Sequence, residues 1–283
     1  MACTGSGVQI PSAPQTNMNL KYIKEIFSQT KDLIGSQSGI AVISIIQVSF
    51  VVNQLGPAKY GAVVLLIAIP SLIFRASHAR NSDVNLLVLK DGKNFYFESI
   101  FFNFITGIFS FLLCLVVFTN PIIISSSLGD YFGIETLSNV LLIYLLTRII
   151  QTFSETSKSI LIFHNDLRRY SILEISSVIV RFIALVFLLL NDPSVENYLI
   201  AQSIYGITFG LFGLYLTNKY RDSSNFKIQH FKAYSKAIRS FYGKIRYDQI
   251  IGLIPQHFDV ILLAIIVDTV SYTHLTLPTT LLV

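Results

Sequence analysis

The chain has 283 residues, of which 52% are hydrophobic and only 13% charged, with a formal net charge of +5 and a mean hydropathy of +0.61. Soluble domains carry about 25% charged residues, so a water-facing surface over most of the molecule is excluded. Cys3 and Cys114 are far apart and the second lies in an apolar run, which excludes a disulfide framework and a cysteine metal site.

Residues 1–17 (MACTGSGVQIPSAPQTN) lack the apolar core of a signal peptide. They read either as a disordered tail or as translated transfer-RNA sequence ahead of an initiator at Met18. Lys21 to Lys31 is basic and mixed, and is expected to lie at a membrane interface as a short amphipathic helix. Residues 34–55 form the first apolar run, long enough to cross about 30 Å of hydrocarbon. Gln37, Gln47 and Asn53 leave a polar trace on it, expected to serve helix packing.

Gly56-Pro57-Ala58-Lys59-Tyr60-Gly61 is a turn by composition. The second run, 62–74 and on to about Ala76, contains Pro70, which frees the carbonyl of Leu66 and is expected to kink the helix. Residues 75–93 are polar and basic. The third run, 95–117, is Phe-rich, and bulky rings there are expected to face lipid. A fourth, 136–153, follows a connection without Lys or Arg. Residues 154–170 are a polar, basic connection. The fifth and sixth runs cover 171–190 and 198–216, separated by Asn191-Asp192-Pro193. A basic loop occupies 217–246, and a seventh run 249–267. That loop reads as a solvated linker or as a binder of anionic headgroups.

Seven alternating crossings make a testable pattern. The side holding the N-terminus receives the basic residues of 21–31, 75–93, 148–169 and 219–246, which are 19 of the 21 Lys and Arg residues. The other side receives Lys59 alone, and Arg181 sits inside the fifth run. Positive charge accumulates on the cytoplasmic side of membrane proteins, so the N-terminus is expected in the cytoplasm. The same bias accounts for the basic charge without nucleic acid. The expected class is therefore all-α: a polytopic transmembrane helical bundle in a bacterial inner membrane.

No phosphate-binding loop, dinucleotide fingerprint, zinc-protease motif or nucleophile elbow is present, and the five His residues have no metal spacing. The informative residues are ionisable groups within the runs. Arg181 is central in the fifth, where a charge costs about 2.5–3.5 kcal/mol on insertion scales. Glu174, seven residues earlier, shares its helix face about 10 Å away. The two read as a structural pair or as part of a polar cavity. Asp259 stands in the seventh run four residues after Pro255, which frees the carbonyl of Ile251. A broken helix beside a carboxylate is a recurrent ion or substrate site. Glu98 and Arg148 are weaker candidates near the expected cytoplasmic ends, where Arg148 can snorkel.

Three features resemble a known family. Leu55 to Gly61 (LGPAKYG) is similar to the Leu-Gly-Pro-x-x-Tyr-Gly turn of bacterial polysaccharide flippases of the O-antigen and capsule type, in the multidrug/oligosaccharidyl-lipid/polysaccharide exporter superfamily. Six runs followed by a long basic loop, and a seventh of the form FDVILLAIIVD, are also similar. The resemblance covers residues 31 to 270, and RASHARNSDVNLL after the second run departs from it. It implies a six-helix lobe (18–216), the cytoplasmic loop, and the first helix of an incomplete second lobe (247–270). The last stretch, 271–283 (SYTHLTLPTTLLV), resembles translated sequencing adapter, so the natural chain is expected to continue past about Val270.

The implied activity is non-enzymatic. It is the flipping of undecaprenyl-pyrophosphate-linked oligosaccharide from the cytoplasmic to the periplasmic leaflet, for surface polysaccharide biosynthesis. Arg181 would meet phosphates or acidic sugars, and Asp259 and Glu174 would couple to a H+ or Na+ gradient, with no cofactor. The expected partners are the polyprenyl-linked substrate, membrane lipid and other polysaccharide assembly proteins. The alternatives are a cation-coupled multidrug exporter of the same superfamily, and a membrane polysaccharide polymerase or glycosyltransferase.

Overall fold

The computed structural model describes residues 20–77, 81–90, 95–119, 139–221 and 230–239. Among them every regular element is helical and there is no strand. The helices are α1 (Leu20–Ser77), α2 (Asn81–Lys90), α3 (Tyr96–Thr119), α4 (Asn139–Gln151), α5 (Phe153–Phe163), α6 (Leu167–Asn191), α7 (Val195–Thr217) and α8 (230–239). The leader 1–17, most of the connection 119–135, the seventh run with Asp259 and the tail 271–283 lie outside the described residues.

Five stretches are long and apolar enough to cross a membrane: Leu33–Pro57, Lys59–Leu89, Tyr96–Thr119, Leu167–Asn191 and Val195–Tyr220. They correspond to the first, second, third, fifth and sixth expected runs. The expected fourth differs. Of 136–153 the structure describes the part from Asn139: α4 ends at Gln151, close to the expected end, and after a break at Thr152 the chain continues as α5, with no membrane-length helix among the described residues here. The basic segment from Lys21 is helical and runs directly into the first crossing.

The expected turn at Gly56 is sharper than a kink. Gly56 has φ 77° and ψ 160°, a backbone region closed to residues with a Cβ. Val51 and Val63 flank it, and both pack into one cluster with Leu185, Leu189 and Tyr198. Twelve residues of straight helix would separate them by about 18 Å, so α1 comprises two arms that double back at Gly56. The first arm meets α6 through Gln37, and the second meets α4 through Ser71.

Helix α3 shows how the bundle is assembled. Its buried residues include Ser99, Asn103, Gly107, Ser110 and Cys114, a stripe of small and polar groups at helical spacing. Its exposed residues are Phe101, Phe104, Ile105, Ile108, Phe109, Leu112, Leu113 and Val116. That polarity is the reverse of a water-soluble bundle and is compatible with a multi-pass membrane protein, whose helices approach through small residues. Helix α7 follows the same rule. It buries Ala201, Ser203, Gly206, Gly210 and Gly213, and packs against α1, α4, α5 and α6.

Gly210 is the tightest point: a Cβ built there would lie 2.1 Å from the carbonyl oxygen of Ile150. The contact is made just before the chain leaves α4. At the break, the Thr152 amide is shared between the carbonyls of Arg148 and Ile149, each at 3.2 Å. The Thr152 hydroxyl bonds the Ile149 carbonyl at 2.7 Å and lies 3.2 Å from the Asn103 carbonyl of α3.

Two stretches expected as polar connections are helices. In α2, Asn81, Val84, Asn85 and Val88 recur at helical spacing and are buried. In α5, Ser157 and Ser159 turn their hydroxyls back to the carbonyls of Phe153 and Glu155, at 3.3 and 3.1 Å. Internal bonding of that kind makes a Ser-rich helix acceptable in an apolar setting.

Candidate functional site

Glu174 is the hub of one polar cluster. Its carboxylate accepts from the Gln37 amide of α1 and from the Tyr170 hydroxyl one turn earlier on α6, the latter at 2.9 Å. Lys158 of α5 brings its ammonium to 3.5 Å. Lys158 also lies over the Phe209 ring of α7, 5.0 Å from its centroid. Four helices thus meet around the Glu174 carboxylate and the Lys158 ammonium, which also interacts with Glu155 on its own helix.

Arg181 forms a separate site. It does not pair with Glu174, so the structural pair considered from the sequence is not made. Its guanidinium stands 4.9 Å from the centroid of Tyr205 on α7, in cation–π geometry. No carboxylate forms a salt bridge with it among the described residues, and its Nε–H is buried with no acceptor. Arg181 also interacts electrostatically with Tyr198, whose hydroxyl is hydrogen-bonded to Gln47 and accepts from Gln202 at 3.0 Å. Gln47 is only 6% exposed and its side-chain oxygen also lacks a partner. Arg181 with Tyr205, and Tyr198 with Gln47 and Gln202, thus place a cation, two phenols and two amides within otherwise apolar helices. Leaving such donors and acceptors unused costs about 1–3 kcal/mol each, and a ligand with phosphate or hydroxyl groups would use them.

Arg148 is held by contacts within the bundle. Its guanidinium donates to Gln151 at 2.7 Å, reaches the Ser71 hydroxyl at 3.5 Å and lies 5.5 Å from the Phe74 ring centroid. The residue is anchored between α4 and the second arm of α1, although its Nε–H too is unpartnered. Glu98 is buried at 4% exposure, with the His230 Nδ1 of α8 3.7 Å away. Near it, Asn103 joins three helices: it accepts from Asn81 at 2.7 Å and donates to Thr156 at 2.8 Å. The hydroxyl of Ser99 completes the set, 2.8 Å from that of Thr156.

Of the sequence candidates, Glu174, Arg181, Arg148 and Glu98 all face the interior, but in four different environments. Asp259 lies outside the described residues. Lys158, Tyr205 and Tyr198 escaped the sequence reading. Lys158 was assigned to a connecting segment, although Ser154, Ser157 and Leu161 at spacings of three and four already mark a buried helix face. The polar trace on the first run is divided: Gln37 and Gln47 belong to the two clusters, and Asn53 is exposed.

A set of contacts pins the end of the bundle where basic residues collect. Asp166 caps α6 by accepting from the Arg169 amide at 3.3 Å, and binds Lys219 and Tyr220, each at 2.8 Å. Partial burial would raise its carboxyl, but the Lys219 and Tyr220 hydrogen bonds prevail and hold it below the usual carboxylate value. The His164 ring stacks on Tyr220 with centroids 4.1 Å apart. Among the described residues no three His, Cys, Asp or Glu side chains are grouped to hold a metal ion. No family model, no curated protein and no solved structure matches the chain.

Proposed function

We propose that this chain is part of a bacterial inner-membrane transporter for an anionic lipid-linked oligosaccharide. The carried molecule is undecaprenyl-pyrophosphate-linked glycan, flipped from the cytoplasmic to the periplasmic leaflet during O-antigen or capsule synthesis. The N-terminus and the basic ends of the helices face the cytoplasm. The six crossings before the basic loop form one lobe, and the seventh begins another.

The observation that carries the reading is Arg181. A guanidinium without a carboxylate partner among the described residues, inside a helix able to span a membrane, is matched to a phosphate oxyanion. Tyr205 against it, and Tyr198 with its partners Gln202 and Gln47, offer aromatic faces and amides suited to sugar rings and hydroxyls. The lipid tail stays outside, against the exposed Phe and Leu side chains of α3. The Glu174–Lys158 pair is suited to exchange its ammonium for a proton or Na+, and Asp259 is the second coupling candidate. The same Arg181 disfavours a cation exporter, because a positive charge within the helices repels cationic drugs.

The test is replacement of Arg181 by Ala at the chromosomal locus. Surface polysaccharide should fall at least tenfold, with lipid-linked intermediate accumulating on the cytoplasmic leaflet, and Arg181→Lys should restore part of it. Normal surface polysaccharide in Arg181→Ala, with the protein at its usual level in the membrane, would refute the reading.

A further inference from the structure

The stretch 217–246 reads from sequence as a basic connection, yet α8 within it is docked. Tyr234 and Ile238 are 1% and 2% exposed, packed with Val84 and Val88 of α2 and with Phe95. The Tyr234 hydroxyl donates to the Asn85 side-chain carbonyl. Phe231 sets its ring edge-on to Phe101, with centroids 5.2 Å apart. Phe101 is 41% exposed and begins the outward apolar face of α3. Helix α8 therefore lies where the apolar exterior starts.

Lys232, Lys236 and Arg239 are exposed and recur at spacings of four and three, so they form one stripe along the helix. Among the described residues none of the three is in an ion pair. An apolar seat, an aromatic ring at the edge of the hydrocarbon-compatible surface and an unpaired cationic stripe are the features of a helix lying in a membrane interface.

We infer that α8 is an interfacial helix whose Lys232, Lys236 and Arg239 bind the anionic headgroups of the leaflet beside it. A merely solvated linker would account for the charges but not for Tyr234 and Ile238, which fix the direction in which the charges point. Each basic residue near an anionic surface strengthens attachment about fivefold at physiological salt, and the effect fades within a Debye length of about 8 Å. The inference uses the membrane placement proposed above but not the transport activity. Lipid retention tests the one and surface polysaccharide the other, so either can fail alone.

The experiment places the protein in nanodiscs of phosphatidylcholine mixed with phosphatidylglycerol and counts the retained lipids by native mass spectrometry. Phosphatidylglycerol should be enriched over its share of the bilayer. Lys232→Gln/Lys236→Gln/Arg239→Gln should bring phosphatidylglycerol back to about its share of the bilayer, whereas Lys59→Gln, an exposed cation on the turn after Gly56, should leave the enrichment unchanged. Amide exchange across 230–239 should slow when phosphatidylglycerol replaces neutral lipid, and the difference should vanish in high salt. Equal enrichment in the wild type and the triple variant, or exchange in α8 that ignores lipid charge, would overturn the inference; the latter would point to an acidic protein surface instead.

Discussion

Gly210→Ala isolates the contact on which the packing of α7 depends. The added methyl would sit 2.1 Å from the Ile150 oxygen and 2.7 Å from its carbonyl carbon. The obstacle is backbone, so no rotamer change relieves it. Helices α4 and α7 must separate by about 0.9 Å to reach 3.0 Å, and a gap of that size forfeits a quarter to a half of each neighbouring dispersion contact. Overpacking of this kind costs about 1–3 kcal/mol, and a backbone obstacle belongs at the upper end. Alanine returns about 1 kcal/mol of helix propensity, so the net loss is about 2 kcal/mol, or ~4–8 °C in melting temperature. Gly35→Ala is the control, because nothing lies within 4 Å of its Cβ and only the propensity gain applies. Cys114 is 0% exposed, so with Cys3 replaced by Ser a thiol-reactive dye reports unfolding during a thermal ramp. Identical melting of Gly210→Ala and Gly35→Ala would refute the reasoning.

Gly56→Ala meets open space but a φ of 77°, so its cost is backbone strain alone, about 1–3 kcal/mol; the same dye assay should place it below wild type, and an unchanged melting temperature would remove the turn from the argument. Asn103→Leu deletes two buried inter-helix bonds, to Asn81 and Thr156. At about 0.6–1.7 kcal/mol each in membrane proteins, it should lower stability by ~1–3 kcal/mol, with Thr156→Val in the Asn103→Leu background adding less than it does alone. Asp166 is held below its ordinary value of 3.8, so its contribution is present above that value and is lost as pH falls through the lowered one. Asp166→Asn should therefore melt slightly earlier than wild type at pH 7, with the gap closing in strong acid; a gap that persists there would assign the loss to capping.

The positions of the apolar runs were legible because lipid-compatible helices must be long and continuous. The same logic placed the end of the fourth run at Phe153, beside the break at Thr152, but not the helix α5 that follows it. Residues 154–159 misled because serine is polar by composition, while its hydroxyl can be absorbed by its own helix. Gly56 was visible as a turn, because Gly-Pro admits little else, but its full reversal required Val51 and Val63 to be seen in one cluster. The site was legible in kind and not in grouping. Sequence spacing puts Glu174 and Arg181 on one face, but it does not contain Lys158 or Tyr205, which arrive from α5 and α7 and draw the two charges into separate environments.

The inverted α3 carries a consequence for mutational tolerance. On its outer side, Ile105, Phe109, Leu112 and Val116 are exposed among the described residues, so one large apolar residue can replace another at little cost. On its inner side, Ser99, Asn103, Gly107 and Ser110 are measured against neighbours a few ångströms away, and even a methyl group is an intrusion. A Cβ at Gly107 would already meet Ile149 at 3.0 Å. A saturation library over this helix would therefore reverse the pattern familiar from soluble proteins. The large hydrophobic residues would be freely exchangeable, and the small, plain ones would hold the information that specifies the fold.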